Sequence, residues 1–266
     1  MKKKTSSTQA VSSKLTKTRV VLRSKELAKH VPSTRPFNRG QLLAMLEQYR
    51  MVYVKPDAGS MGIGVMRVEK KSDGYRYQSG AQVFVFPAFQ TMFHSLQKRI
   101  GGRRYLIQKG IHVLRHDGRP FDFRIMIQKN PFRQWECTGT AGRVAHPRKI
   151  VSNGSQGGTI FQAAALLNPI TGKQKSSRLQ SHMNHLARLT AAQFGHAYPA
   201  MNELGLDIAV DRNLKPWILE VNTRPDPCPF TKLDNPASIR RIVRYGRAYG
   251  RRYCLTCSKA KRAPGR

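Results

Sequence analysis

The sequence predicts a mixed α+β domain with antiparallel strands, on three observations. Met51–Lys55 (MVYVK) is an apolar run of strand length, closed by Pro56. Phe89, Met92, Phe93, Leu96 and Ile100 recur at helical spacing. Leu204–Val210 and Pro216–Val221 flank the turn-forming Asp211-Arg212-Asn213-Leu214, so two consecutive strands fold back on one another.

The elements follow in chain order. Residues 1–13 are mostly Ser, Thr and Lys, with little to bury, and are expected to form a disordered basic tail. Gln41–Gln48 carries helical spacing through Leu42, Met45, Leu46 and Tyr49, and the strand Met51–Lys55 comes next. Gly64–Val68 and Gln82–Phe86 are further strands, Ala88–Ile100 is an amphipathic helix, and Tyr105–Gln108 and Phe121–Gln128 are strands again. Leu179–Phe194 is helical, the hairpin around residue 211 follows, and the basic helix Asn235–Arg252 closes the fold. Residues 258–266 read as a second basic tail. Between the tails, residues 14–257 form one continuous domain, without repeats, heptads or a long linker.

The 266 residues are 39% hydrophobic, enough for a sizeable core, which excludes disorder over the whole chain. Charge is the anomaly: 48 Lys and Arg stand against 14 Asp and Glu, a formal net charge of +34. Such an excess calls for an acidic partner, whether nucleic acid, phosphates or another polyanion. It also makes each carboxylate worth asking about. No apolar run reaches the ~20 residues of a membrane helix, and no apolar segment follows Met1-Lys2-Lys3-Lys4 as in a secretory signal. Four Cys are too few for a disulfide scaffold. A reduced, cytoplasmic location without membrane contact is the expectation.

Two segments carry chemistry. In Lys55-Pro56-Asp57-Ala58-Gly59-Ser60-Met61-Gly62-Ile63-Gly64, a strand delivers a lysine to a loop with three glycines. Glycine lets backbone N–H groups approach phosphate oxygens, and the lysine adds a point charge. The segment is no P-loop, since Val65 and Met66 follow Gly64 where Lys and Ser or Thr belong. It is no dinucleotide fingerprint either, because Arg67 occupies the third glycine position. Taken alone, the loop reads as a plain hairpin turn.

The second segment runs from Asp207 to Asn222. Residues two apart in a strand share a face, so Glu220 and Asn222 project together. If Asp211 pairs with Pro216, Asp207 falls opposite Glu220. Two carboxylates and an amide oxygen on one face would repel each other unless a hard divalent cation sat between them, and Mg²⁺ is typically held by one or two carboxylates plus substrate phosphates. The bland alternative is a solvated hairpin. Against it, Glu220 lies inside Trp217-Ile218-Leu219-Glu220-Val221, where a free carboxylate is costly to bury.

A lysine with a glycine loop, followed late in the chain by a D…LEVN hairpin, resembles the ATP-grasp superfamily of ATP-dependent carboxylate–amine ligases. More closely, the chain resembles the YheC/YheD group of endospore coat-associated ATP-grasp proteins. The segments VYVKPDAGSMGIGVMRVE, FDFRIMIQKN, GRVAHPRKIVSNGSQGG, ELGLDIAVD, WILEVNTRPDPCPF and RYGRAYGR carry the resemblance, in order, over about residues 14–252.

The resemblance implies two α+β subdomains holding Mg-ATP between them. Lys55 would be the phosphate-binding lysine, and Gly59, Ser60, Gly62 and Gly64 the loop over the triphosphate. Lys17 would be an earlier nucleotide lysine, and Gln108, Lys109 and Ile111 the hinge that reads adenine. Asp122 and Arg124 match a D-x-R strand whose arginine would face the γ-phosphate or an acyl phosphate. Asn153, Gly157 and Gly158 would close over the nucleotide. Asp207, Glu220 and Asn222 would hold two Mg²⁺ ions, with Mn²⁺ an alternative, and Glu220 would bridge them. The implied reaction is ATP-dependent ligation of a carboxylate to an amine through an acyl phosphate, with Lys55 and Arg124 as the catalytic cations. About 50 residues precede Lys55, so the α/β domain that usually precedes the nucleotide half is expected to be missing. This supports ATP binding more than ligation.

Two other classes compete: a non-catalytic ATP-binding structural protein of the spore coat, and a basic protein that binds nucleic acid or another polyanion. Lys55, Asp207, Glu220 and Asn222 favour a nucleotide over the third class without separating the first two, so the partners expected are ATP, unnamed carboxylate and amine substrates, and a polyanion or spore-coat component. Trp135 and Trp217 read as core residues. Cys254-Leu255-Thr256-Cys257 has half the spacing of a zinc ribbon but no second pair. Arg240, Arg241, Arg244, Arg247, Arg251 and Arg252 crowd the closing helix, most simply as a solvated face and more pointedly as a polyanion patch.

Overall fold

The computed structural model describes residues 10–147, 149, 157–257 and 260–264. Two short helices lead: α1 (Lys14–Val21), whose first turn is capped by the Ser13 hydroxyl accepting from the Thr16 N–H, and α2 (Lys25–Ala28). A first lobe follows, with β1 (Thr34–Pro36), α3 (Arg39–Tyr49), β2 (Met51–Pro56), β3 (Met66–Lys71), β4 (Gly74–Ser79), β5 (Gln82–Phe86), α4 (Phe89–Ile100) and β6 (Tyr105–Lys109). Its six strands form a fully antiparallel sheet in the order β1-β6-β2-β3-β4-β5. The apolar stripe of α4, Met92, Phe93, Leu96 and Ile100, packs with Leu42, Leu46, Val52, Val54 and Ile107 into one core. The expected strand at Gly64–Val68 starts later, at Met66, because Gly64 takes φ +75° and Val65 still belongs to the turn.

The second lobe contains β7 (Arg115–His116), β8 (Arg119–Lys129), β9 (Trp135–Val144), β10 (Thr159–Gln162), α5 (Ala163–Thr171), α6 (Lys173–Ala197), β11 (Glu203–Val210), β12 (Pro216–Asn222), a 3₁₀ turn at Cys228–Lys232, α7 (Ala237–Ala248) and β13 (Lys261–Arg262). The main path of the sheet runs β12-β11-β8-β9-β10-β13, with β7 paired to β8. β8 and β11 are buried along nearly their whole length, so Asp122, Arg124 and Gln128, which interrupt the apolar residues of Phe121–Gln128, are buried as well. The core on one face gathers Phe121, Phe123, Ile125 and Ile127 with Leu186, Phe194, Leu206 and Ile208. A smaller cluster behind it joins Met126, Phe230, Ile242 and Ala260.

Described residues of both expected tail segments make contacts with the rest of the fold. The Val11 N–H donates to the Thr223 hydroxyl, and Ser13 caps α1 and donates to Asp57. At the other end Ala260 is buried and β13 pairs in parallel with β10. The cysteines depart from expectation. Cys228 and Cys257 form a disulfide, while Cys137 is half-buried and Cys254 exposed, so the C-x-x-C spacing does not act as a unit. Arg251 is no free surface charge, since its Nε lies 3.2 Å from Glu203. Arg240, Arg241, Arg244, Arg247 and Arg252 are exposed. Among the described residues no helix is long and apolar enough to cross a membrane.

Candidate functional site

The two sheets face each other across a cleft of about 950 Å³ that is open to solvent. β2 contributes Tyr53 and Lys55, and the β2–β3 loop contributes Gly59, Ser60, Gly62 and Ile63. Gln108, Lys109 and Ile111 come from the end of β6 and the connection beyond it. The second lobe supplies Asp122 from β8, Asp207 from β11 and Glu220 from β12. Residues dispersed from Lys14 to Glu220 in the sequence therefore share one concavity, as ligand sites commonly do.

Arg124, Lys17, Gly64, Asn222, Gly157 and Gly158 are not among the residues that line this cleft. Lys17 lines a smaller adjoining pocket, which also touches Lys55, Gln108 and Glu220. Gly64 shapes the loop rather than the cleft wall: a Cβ there would sit 2.9 Å from the Tyr105 hydroxyl and 3.0 Å from Pro56. Asn153 lies outside the described residues.

The hairpin delivers its carboxylates by a route the sequence does not show. At the turn Val210, not Asp211, pairs with Pro216, so the register is one residue off the expected one. A bulge at Leu219 then inserts one residue into β12 and brings Asp207 opposite Glu220.

Asp122 and Asp207 of the cleft wall form a neutral cluster of four charges with Arg124 and Arg143, which stand behind it. Arg143 Nε and Nη2 donate to the two oxygens of Asp122, each at 2.7 Å, and Nη2 also reaches Asp207 at 3.1 Å. Arg124 Nε donates to Asp207 Oδ1 at 2.6 Å. Arg124 crosses Gly205, where a Cβ would lie 3.4 Å from its Cδ. Burial alone would raise the Asp207 carboxyl; Arg124 and Arg143 outweigh it and hold the group at about 2. Burial would likewise lower the Arg143 guanidinium, and the two aspartates raise it instead.

Glu220 is treated differently. Lys14 and Lys17 approach its Oε1 to 3.6 and 3.7 Å from α1, and yet this buried oxygen has no hydrogen-bond donor among the described residues. The Lys14 ammonium also donates to the Gly59 carbonyl at 2.8 Å, which ties the glycine loop to the same corner. Lys55 donates to Gln108 Oε1 at 2.6 Å. Burial lowers its ammonium to about 8, with Glu220 opposing the shift and Lys14 adding to it. Lys17 is lowered by burial, again opposed by Glu220. The Lys109 ammonium sits 5.0 Å from the Tyr49 ring centroid and 5.4 Å from that of Trp217, so half-buried Trp217 borders the cleft residues rather than filling the core.

No role for Lys14, Tyr53 or Arg143 is read from the sequence, although the last two lie inside segments that carry the resemblance. Arg143 stands directly across the β8–β9 ladder from Asp122, and a cross-strand partner has no fixed sequence spacing. Among the described residues no cluster of three His, Cys, Asp or Glu side chains is arranged for a metal. The donor chemistry nevertheless fits a hard cation. Glu220 Oε1 is buried without a donor. Asn222 spends its amide nitrogen on the Gly205 carbonyl, and each Asp207 oxygen keeps a further lone pair beyond its arginine bond.

Two antiparallel-rich sheets with a lysine, a glycine loop and a carboxylate hairpin between them define a class, the ATP-grasp proteins. The chain belongs to the YheC/D-like ATP-grasp family, whose family model matches residues 4–252. It is similar to the endospore coat-associated protein YheD of Bacillus subtilis (strain 168), 27% identical over 222 residues that cover 77% of this chain and 48% of that protein. It is also similar to the endospore coat-associated protein YheC of the same organism, 25% identical over 201 residues covering 74% of this chain and 55% of that protein. The chain thus spans about half the length of the curated relatives it matches.

Proposed function

We propose that the chain binds Mg-ATP in the cleft between its lobes and uses the γ-phosphate to activate a carboxylate for capture by an amine. The observation that carries this reading is the corner where Lys55, Lys14 and Lys17 converge on Glu220, whose buried Oε1 has no hydrogen-bond donor among the described residues. Three cations beside one unsatisfied anion suit a triphosphate with its counter-ion better than an empty cleft.

Each residue then has a role in its own chemistry. Lys55 and Lys14 would neutralise phosphate oxygens, and the Gly59–Gly64 loop would present N–H groups to them. Gln108, Lys109 and Ile111 would meet the base. Asp207, Glu220 and Asn222 would hold the divalent cation, which when bound supplies charge neutralisation at the phosphates. Arg143 and Arg124 position Asp122 and Asp207, and Arg124 reaches phosphate only if it releases Asp207.

In the reaction proposed, a carboxylate oxygen of the substrate attacks the γ-phosphorus as the bond to ADP breaks. The amine then attacks the acyl carbon, loses a proton and expels phosphate. Charge neutralisation and alignment suffice for these steps, and no nucleophilic side chain is required.

A second reading has its own support. Both relatives are endospore coat-associated proteins, and a nucleotide-holding coat component without turnover would need the same cleft. Thermal unfolding with and without Mg-ATP tests the common part: bound nucleotide raises Tm by mass action, and Glu220→Gln should remove most of the Mg-dependent shift. A wild-type chain without such a shift at saturating ATP would refute the site. Phosphate release screened over carboxylate and amine mixtures separates the ligase from the silent binder.

A further inference from the structure

A second cavity of about 1080 Å³ adjoins the nucleotide cleft, with different chemistry. Tyr53, Ile111, Val113 and Pro120 line both. The nucleotide cleft balances Lys14, Lys55 and Lys109 against Asp122, Asp207 and Glu220. Its neighbour is lined by Arg67, Arg76, Arg115, Arg119 and Arg212, with Glu69 as the one carboxylate among its lining residues.

These arginines converge from three places in the fold. Arg67 and Arg76 project from β3 and β4, Arg115 and Arg119 from the β7–β8 hairpin, and Arg212 from the β11–β12 turn. Glu69 cannot neutralise them. Arg76 donates to it at 2.7 Å, while Arg67 and Lys71 lie at 3.4 and 3.1 Å, so the carboxylate is already outnumbered by its own neighbours. Arg119 reaches only the exposed Asp117, at 4.0 Å, Arg115 donates to the Gly118 carbonyl, and Arg212 makes no ion pair among the described residues. Guanidinium forks suit phosphate oxygens, which they can grip two at a time.

We infer that this arginine cleft binds a phosphate group beside the nucleotide, either one carried on the nucleotide's own ribose or one belonging to a separate oligophosphate. The position follows from the shared wall: Ile111 and Val113 continue the Gln108–Ile111 segment that the nucleotide reading assigns to the base. The inference rests on that reading for this orientation only. It differs from general attraction to a +34 chain, because it names a place where arginines from both lobes meet.

Isothermal titration at physiological salt tests it with sodium tripolyphosphate, with and without saturating Mg-ATP, and with ADP against ADP bearing a ribose 3′-phosphate. The variants are Arg115→Gln with Arg212→Gln, both exposed, and as a charge control Arg240→Gln, Arg241→Gln, Arg244→Gln and Arg247→Gln on α7. Circular dichroism confirms folding of each. A ribose phosphate that tightens binding about tenfold, with the gain lost in the cleft variant alone, identifies the first source. Tripolyphosphate that binds the ATP-saturated chain and weakens about tenfold in the cleft variant alone identifies the second. Equal losses in the α7 variant, or no phosphate effect in either arm, overturn the inference. If ATP itself fails to bind, the nucleotide reading falls, and the tripolyphosphate arm without ATP still decides this cleft.

Discussion

Replacing Arg143 by methionine should be the most damaging single change near the cleft, although no role for the residue is read from the sequence. The wild-type cluster of Asp122, Arg124, Arg143 and Asp207 is neutral and almost fully buried. Arg143→Met removes both bonds to Asp122 and one of the two cations on Asp207, so one net negative charge is left out of water. Breaking a buried pair on one side typically costs about 3–5 kcal/mol. For a domain of this size that corresponds to a fall in Tm on the order of ten degrees.

The pH dependence of this variant distinguishes charge from packing. In the wild type, Asp207 sits at about 2, below its unfolded value, so its contribution is present above about pH 4 and lost as pH falls towards 2. In the variant, Asp207 loses one of the two guanidinium groups that hold it low and should take up a proton more readily, so the deficit against wild type shrinks on acidification. Arg143→Met with Asp122→Asn should recover part of the loss, because the stranded charge is gone. Urea unfolding followed by fluorescence of Trp135 and Trp217 reads all of this. A single variant within about 1 kcal/mol of wild type, or a double variant worse than the sum of its parts, would refute the electrostatic account.

Two further outcomes are expected. Lys55 titrates at about 8 in the free protein, below its unfolded value, so its burial penalty is fully present below pH 8 and relieved as pH rises towards 10.5. The unliganded chain should gain stability over that window. ATP, which needs the charged form, should lose affinity by about tenfold per pH unit above 8, and Lys55→Met should bind weakly with a flat profile; a wild-type affinity constant from pH 7 to 10 would show the lysine to be uninvolved. On α7, neutralising Arg240, Arg241, Arg244 and Arg247, and leaving Arg251 on Glu203, should flatten the salt dependence of binding to double-stranded DNA, used as a model polyanion. The Mg-ATP shift should stay unchanged, and its loss in a folded variant would tie the helix to the nucleotide cleft.

Much of this architecture was legible in the sequence, for identifiable physical reasons. The apolar stripe of α4 and the strand β2 follow from local periodicity, which needs no partner to be recognised. Asp207 and Glu220 could be placed opposite each other, although the turn arithmetic behind that placement is off by one and the bulge at Leu219 restores it. What escaped depends on tertiary neighbours. Arg143 matters because β9 lies beside β8, Lys14 because α1 folds over β12, and β13 because Ala260 beside it is buried in a cluster with Met126, Phe230 and Ile242. The Cys228–Cys257 bond joins positions 29 apart that have no common local signal.

The way the first lobe is inserted into the chain has a consequence for autonomy. Among the described residues its core draws on those between Phe37 and Ile107, whereas the second lobe gathers chain from both sides of that segment. The lobe is therefore an insertion, attached by an entry near Ser33 and an exit near Gly110. These two connections touch, since the Lys109 N–H donates to the Ser33 carbonyl at 2.8 Å. Rotation of one lobe against the other would turn about this seam and work against the bonds that Ser13, Lys14 and Leu15 make to Asp57 and Gly59 of the first lobe. Because the insertion begins and ends at neighbouring points, a short linker in place of residues 34–109 spans the gap. The second lobe should then fold with its own sheet intact, as a unit that holds the carboxylates and lacks the grip.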